Sequence, residues 1–233
     1  MEACRRTDSG KCWLRRPRRI DLAWLLITGF GLTAVATVGT AQDAAVPDAE
    51  ARLEAFNADV ETLTARFSQE TWDVDGDLVD EAEGDFALMR PGRFRWHTES
   101  PYDQLVVADG KSIWMYDVEL EQATRTPIDD ISAANPGFLL SGERAIRDDY
   151  DIGSTYELDD REYIELLPKD PRADFSRILI AFNGTAPVEL EVVDGLNQTT
   201  RIRFSDTQVN SPVDPAQFEF DPPPSVDVIG DRD

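Results

Sequence analysis

The stretch EGDFALMRPGRFRWHTESPYDQLVVADGKSIWMYD, residues 83–117, decides the fold. It reads as four strands, at 84–89, 93–98, 104–108 and 112–117, joined by short turns. Asp109-Gly110-Lys111 carries the Asp-Gly pair of a tight hairpin, and Asp75-Gly76-Asp77 does the same just upstream. In Phe94-Arg95-Trp96-His97 the two-residue period sets Phe94 and Trp96 on one strand face and Arg95 and His97 on the other. Leu105-Val106-Val107, Ile113-Trp114-Met115-Tyr116 and, later, Ile178-Leu179-Ile180 are instead apolar at consecutive positions. A sheet with one face in water alternates apolar with polar residues. Large apolar groups on both faces predict an apolar concavity in addition to an ordinary core.

Outward from this stretch, the same pattern predicts strands at 67–72, 122–125, 150–157, 163–167, 178–183, 189–193 and 199–208. Residues 216–220 read as a brief turn of helix or a sheet edge, ahead of Pro222-Pro223-Pro224. On the N-terminal side, PDAEARLEAFNADVETLTARF (47–67) spaces Leu53, Phe56, Val60, Leu63 and Phe67 at intervals of 3, 4, 3 and 4. That is one apolar stripe on an amphipathic helix, with Pro47, Asp48 and Glu50 suited to its first turn. The helix is expected to give way to a strand near Ala65. A second helical interruption is expected over 128–146, where Ala133, Ala134, Phe138, Leu139, Leu140 and Ala145 are broken by Asn135-Pro136-Gly137. The fold expected is α+β and mainly β. It is a strongly curved antiparallel sheet or incomplete barrel, covered by a helical lid formed near 47–64 and 128–147.

The N-terminus reads as an export signal. Arg5, Arg6, Lys11, Arg15, Arg16, Arg18 and Arg19 precede an apolar run over 22–38, and Gly39-Thr40-Ala41 offers a small-residue cleavage site. A signal at 1–41 leaves a single domain over 42–233. The chain's two cysteines, Cys4 and Cys12, fall inside that signal, so the remaining domain has no disulfide or cysteine-ligated metal. Residues 1–41 hold 7 basic and 3 acidic side chains, which leaves 16 and 43 in the domain, a net charge of −27. Such a field repels nucleic acid and anionic membrane surfaces and favours solubility.

Catalytic chemistry finds little support. His97 is the one histidine of the chain, set on the strand face opposite Phe94 and Trp96, and no Gly-x-Ser-x-Gly or dinucleotide fingerprint occurs. In Asp73-Val74-Asp75-Gly76-Asp77 the glycine falls at position 4, where a calcium loop of the EF-hand type needs it at position 6. A hairpin turn accounts for these residues. No enzyme, cofactor or metal is expected.

The motifs Glu83-Gly84-Asp85-Phe86, Arg90-Pro91-x-x-Phe94-x-Trp96, Asp109-Gly110-Lys111-x-x-Trp114-x-Tyr116 and Glu121-Gln122-Ala123-Thr124 resemble the LolA family of periplasmic carriers of outer-membrane lipoproteins. Phe218-Glu219-Phe220-Asp221-Pro222-Pro223 is similar to the family's ending. The resemblance implies an incomplete barrel closed by a helical lid. It also implies a hydrophobic cavity that takes acyl chains from the inner-membrane LolCDE transporter and yields them to the receptor LolB. By the same resemblance Arg90 is the latch that hydrogen-bonds lid backbone, a task its planar fork suits. Phe94 and Trp96 match cavity-wall aromatics, and Trp114 and Tyr116 are expected to continue the wall. Phe138, Leu139, Leu140 and Ile146 are expected from the lid, with Leu53, Phe56 and Val60 from the first helix. The partners implied are lipoproteins, LolCDE and LolB, and the carrier is expected to be a periplasmic monomer. Gly92 and Arg93 depart from the family pattern by placing a charge beside the motif. The alternatives are a LolB-like receptor or another periplasmic lipid-binding protein. A LolB-like receptor needs a lipidated cysteine that Ala41-Gln42-Asp43 does not supply.

Overall fold

Strand follows strand through hairpins, so neighbours in sequence are mostly neighbours in the sheet. The computed structural model describes residues 49–128, 136–142 and 146–230. The expected signal and the lid positions 47–48, 129–135 and 143–145, with Ala133, Ala134 and Ala145, lie outside the described residues. Helix α1 (Ala49–Asp59) leads into β1 (Thr62–Trp72), β2 (Leu78–Met89), β3 (Arg93–Ser100), β4 (Gln104–Asp109), β5 (Ser112–Asp117) and β6 (Gln122–Pro127). Two short helices follow, α2 (Pro136–Ser141) and α3 (Ile146–Asp149). The chain then forms β7 (Tyr150–Leu158), β8 (Arg161–Pro168), β9 (Phe175–Asn183), β10 (Ala186–Asp194) and β11 (Thr199–Val209). A 3-10 turn (Pro215–Phe218) and β12 (Asp227–Gly230) complete it.

All twelve strands join one curved sheet in the order β12-β6-β5-β4-β3-β2-β1-β11-β10-β9-β8-β7. The first strand therefore sits near the middle, and two meanders spread from it in opposite directions. Only β12 runs parallel to its neighbour, β6; the other pairs are antiparallel. The end strands β12 and β7 are not bonded to each other, so the barrel is incomplete.

The α1–β1 boundary differs from the sequence reading, and β2 starts at Leu78 rather than at 84. Helix α1 stops at Asp59, and Leu63 and Phe67 lie on β1, where Leu63, Ala65 and Phe67 form a buried row. An interval of four residues satisfies a helical turn and two strand repeats equally. The β-branched Thr62 and Thr64, with apolar Ala65 between Leu63 and Phe67, tip the segment to strand. The short parallel strand β12 had no counterpart in the expectation.

The hairpins follow the chemistry of their residues. Asp73 Oδ1 accepts hydrogen bonds from the backbone N–H groups of Asp75 (3.0 Å) and Asp77 (2.9 Å), and Gly76 takes φ +85°. Asp109 does the same for Lys111 (2.7 Å) and Ser112 (2.8 Å), beside Gly110 at φ +87°. These aspartates cap turns, and among the described residues no cluster of three or more potential ligands could hold a metal.

The two sheet faces differ sharply. The inward face and both lid elements share one apolar cluster that takes in Leu53, Phe56, Val60, Phe67, Phe86, Phe94, Phe138, Leu140, Ile180 and Phe204. Outside, from β1 across β11 and β10 to β9, an ion-pair ladder runs through Glu70–Arg203 (2.8 Å), Arg203–Glu189 (3.5 Å), Arg201–Glu191 (2.8 Å) and Arg177–Glu191 (3.0 Å). On the other half of the outer face, Phe218 is fully buried and the 3-10 turn packs against β3 and β4.

Candidate functional site: a lidded apolar concavity

Register fixes which side chains look inward. Phe94 pairs with Ala108 and Leu88, and Ala108 pairs with Ile113; Trp96 pairs with Val106 and Phe86. Directly opposite residues of an antiparallel pair share a face. Phe94, Trp96, Phe86, Ala108, Val106 and Ile113 therefore line one surface. Trp96 lies 4.2 Å from the Phe67 ring and 5.3 Å from Phe86 between centroids, and Phe204 stands 6.3 Å off at the edge of the group.

Gly84 makes this wall possible. It faces Phe67 across β1, and a bulge shifts the β2–β3 register beside it. A Cβ on Gly84 would overlap the backbone carbonyl of His97 and lie 3.0 Å from the Phe67 ring. The glycine thus lets β3 approach at the place where Trp96 stacks.

Helices α1 and α2 roof the wall. Leu53 and Phe56 of α1, with Val60 just beyond its end, are buried, and Phe56 meets Phe182 of β9 at 5.4 Å. Phe138, Leu139 and Leu140 of α2, with Ile146 at the start of α3, are buried in the same cluster. Helix α2 lies so close over β3 that a Cβ on Gly137 would stand 2.6 Å from the Phe94 ring. Among the described residues, side chains from sheet and lid thus pack into one cluster on the inward face.

Arg90 stands in the turn between β2 and β3, beneath the junction of the two lid elements. Its Nε donates to the carbonyl of Val60 at 2.7 Å, and its backbone N–H donates to Glu61 at 2.9 Å. The guanidinium carbon sits 4.8 Å from the Phe56 ring centroid. On the other side Nη1 fills the space where a side chain on Gly142 would project, directly after α2. Gly142 at φ +68° ends that helix in the left-handed conformation. Nη1 and Nη2 are sealed from solvent without a hydrogen bond, as is Asn57 Oδ1. Burial accordingly draws the Arg90 pKa from its ordinary value down to about 10. A shallow cleft of about 470 Å³, lined by Asn57, Glu61, Met89, Arg90, Arg93 and Gly142, opens beside it.

Trp114 and Tyr116 are not part of the wall, which corrects the expectation for them. Val107 pairs with Trp114 and Leu105 with Tyr116, so both rings stand on the opposite face from Phe94. Their partner is the C-terminal segment: Phe220 lies 5.5 Å from Trp114 and 5.3 Å from Tyr116. The consecutive apolar residues of β5 reflect two covered faces, the outer one closed by residues 215–220. His97 also faces outward, with Nε2 2.9 Å from Asp103 Oδ1.

Four participants escaped the sequence reading: Phe86, Phe182, Phe204 and Arg52, whose guanidinium carbon lies 4.9 Å from the centroid of the Phe182 ring. The alternation in Arg201-Ile202-Arg203-Phe204 marks Phe204 as inward, and Phe86 lies inside the quoted motif. Arg52 gives no such signal, because an arginine on an acidic helix reads as solvated.

The outer membrane lipoprotein carrier protein LolA family matches residues 58–221. The outer-membrane lipoprotein carrier protein of Bordetella avium is 34% identical over 199 residues, 85% of this chain and 95% of the relative. That of Methylococcus capsulatus is 37% identical over 183 residues, 78% of this chain and 88% of the relative. Among solved structures, an uncharacterised conserved protein from Thermus thermophilus is similar in fold, with a TM-score of 0.51 at 12% identity over 78% of this chain and 98% of that one. The motif on β2 and β3, the incomplete barrel and the sequence match lead to one conclusion: this chain belongs to the LolA family of outer membrane lipoprotein carrier proteins.

Proposed function

We propose that this protein carries lipoproteins across the periplasm by sheltering their acyl chains against the inward face. In this reading it receives them from the inner-membrane LolCDE transporter and passes them to the receptor LolB. It is exported by a cleaved signal at 1–41 and acts by binding, without catalysis. The observation that carries the reading is the lid. Two short helical segments cover an apolar wall, and one incompletely satisfied arginine stands beneath their junction.

The energies support exchange. Burying one methylene is worth about 0.8 kcal/mol, so an acyl chain in water costs on the order of 10 kcal/mol. Leu53, Phe56, Val60, Phe138, Leu139 and Leu140 bury against the same wall. At roughly 1.5–3 kcal/mol each they also sum to on the order of 10 kcal/mol. Lid and cargo therefore compete for one surface at similar strength, which permits loading and release without a nucleotide. Arg90 biases the contest toward closure through its bond to Val60 and its contact with Phe56, while its two unpaired nitrogens hold that bias down.

The test is a reconstituted transfer assay. Arg90→Leu is expected to accept lipoprotein from LolCDE vesicles yet pass it to LolB several-fold more slowly than wild type. A wild-type transfer rate would overturn the latch. Failure of the unmodified protein to bind lipoprotein at all would overturn the carrier reading.

A further inference from the structure

Helix α1 is held at two places, and the second involves groups that the latch does not use. Arg52 Nε lies 2.8 Å from Glu162 Oε2, and the guanidinium carbon sits 4.9 Å from the centroid of Phe182. What sets this pair apart from the outer ladder is its cation: the Arg52 side chain is 14% exposed, whereas the ladder's arginines are 33–44% exposed.

Glu162 occupies an inward position. It pairs with Phe182 across β8–β9, in the same alternation as Ile164 and Leu166, which pair with Ile180 and Ile178. A carboxylate in an apolar row is costly unless a cation meets it. Glu157 stands directly opposite Glu162 on β7, so two like charges face each other at the rim. Glu157, Asp160 and Glu162 line one cleft with Arg52, Arg161 and Phe182. Lifting α1 would take from Glu162 the cation that contacts it directly.

We infer that Arg52, Glu162 and the Phe182 ring form a second clasp on α1, which positions that helix over the β7–β9 side of the concavity independently of Arg90. The proposal rests on the carrier reading for its use, though not for its existence. Arg52 Nε and Nη2 are sealed from solvent and lack aligned hydrogen bonds, so the clasp is an ion pair over a ring rather than a satisfied fork. Arg90 grips the end of α1 through a backbone carbonyl, and Arg52 grips its beginning through charge. Releasing one end leaves the other held, so α1 swings open rather than detaching.

Hydrogen exchange of the exported protein, followed by mass spectrometry on the peptide covering 51–56, reads the clasp directly. Arg52→Gln and Glu162→Gln are each expected to speed exchange there by at least about tenfold, since breaking a part-buried pair strands its partner. The reversed pair Arg52→Glu with Glu162→Arg is expected to recover most of the protection, and exchange in β1 is expected to stay slow throughout. Wild-type exchange in the single variants, or a reversed pair as fast as the singles, would overturn the clasp. Binding of a tripalmitoylated cysteinyl peptide is measured in parallel. If the wild-type protein ignores that peptide, the carrier reading fails while the exchange data still judge the clasp.

Discussion

Gly84 and Gly142 shape the site by lacking a side chain. At Gly84 an added methyl would run into the His97 carbonyl, which is backbone and cannot rotate away. Gly84→Ala is therefore expected to force β2 and β3 apart and cost about 3 kcal/mol, read as a lower urea midpoint. At Gly142 the clash would be with the Arg90 guanidinium, at a backbone conformation of φ +68° that already resists a side chain. Gly142→Ala is expected to push Arg90 away from Val60 and reproduce the slow transfer of Arg90→Leu; normal transfer would mean that the guanidinium does not need that space. How legible these residues were depended on the kind of signal each leaves. Arg90, Phe94 and Trp96 stand in a compact motif on one hairpin, so the sequence brings them together. Arg52 and Glu162 are more than a hundred residues apart, and only the β8–β9 register turns Glu162 inward to meet the helix.

At the scale of elements, the strands were legible because turn residues punctuate them: Asp-Gly pairs, Pro-Gly and runs of acids mark nearly every hairpin. What the pattern could not give was the facing of a strand that is apolar on both sides. Ile113 and Trp114 are adjacent and equally apolar, yet one joins the inner cluster and the other meets Phe220 outside. The deciding partner lies about a hundred residues downstream, in a segment whose proline-rich composition resembles a tail. This separation of faces yields a paired test. Phe218, fully buried on the outer side, supports the sheet alone, so Phe218→Ala is expected to cost about 3–5 kcal/mol and leave lipopeptide affinity unchanged. Phe94→Ala removes a wall ring beneath α2 and is expected to weaken that affinity several-fold. Calorimetric titration with the tripalmitoylated peptide separates them, and equal losses of affinity in both would erase the distinction between faces.

Charge is organised at the scale of the whole molecule. The chain's net charge is −23, while a ladder of ion pairs runs along the outer face of β1, β11, β10 and β9. These two features respond to salt in opposite directions. Ion pairs whose arginines stay open to solvent, as these do, are worth about 0.2–1 kcal/mol each, and screening weakens them. Repulsion among the excess acids acts over longer distances, so it is screened more completely as the Debye length falls from about 10 Å at 0.1 M to 3 Å at 1 M. The ladder's partners sit within 3.6 Å of one another, well inside the longer length and close to the shorter, and so lose less. Relief of repulsion should therefore win, and the urea midpoint of the folded protein is expected to rise between 0.1 and 1 M NaCl. A midpoint that fell with salt would mean that the outer ladder contributes more to stability than the acidic excess removes. The Arg52–Glu162 pair, whose partners are 2.8 Å apart and whose arginine is the more enclosed, should keep its hold on α1 across the same range.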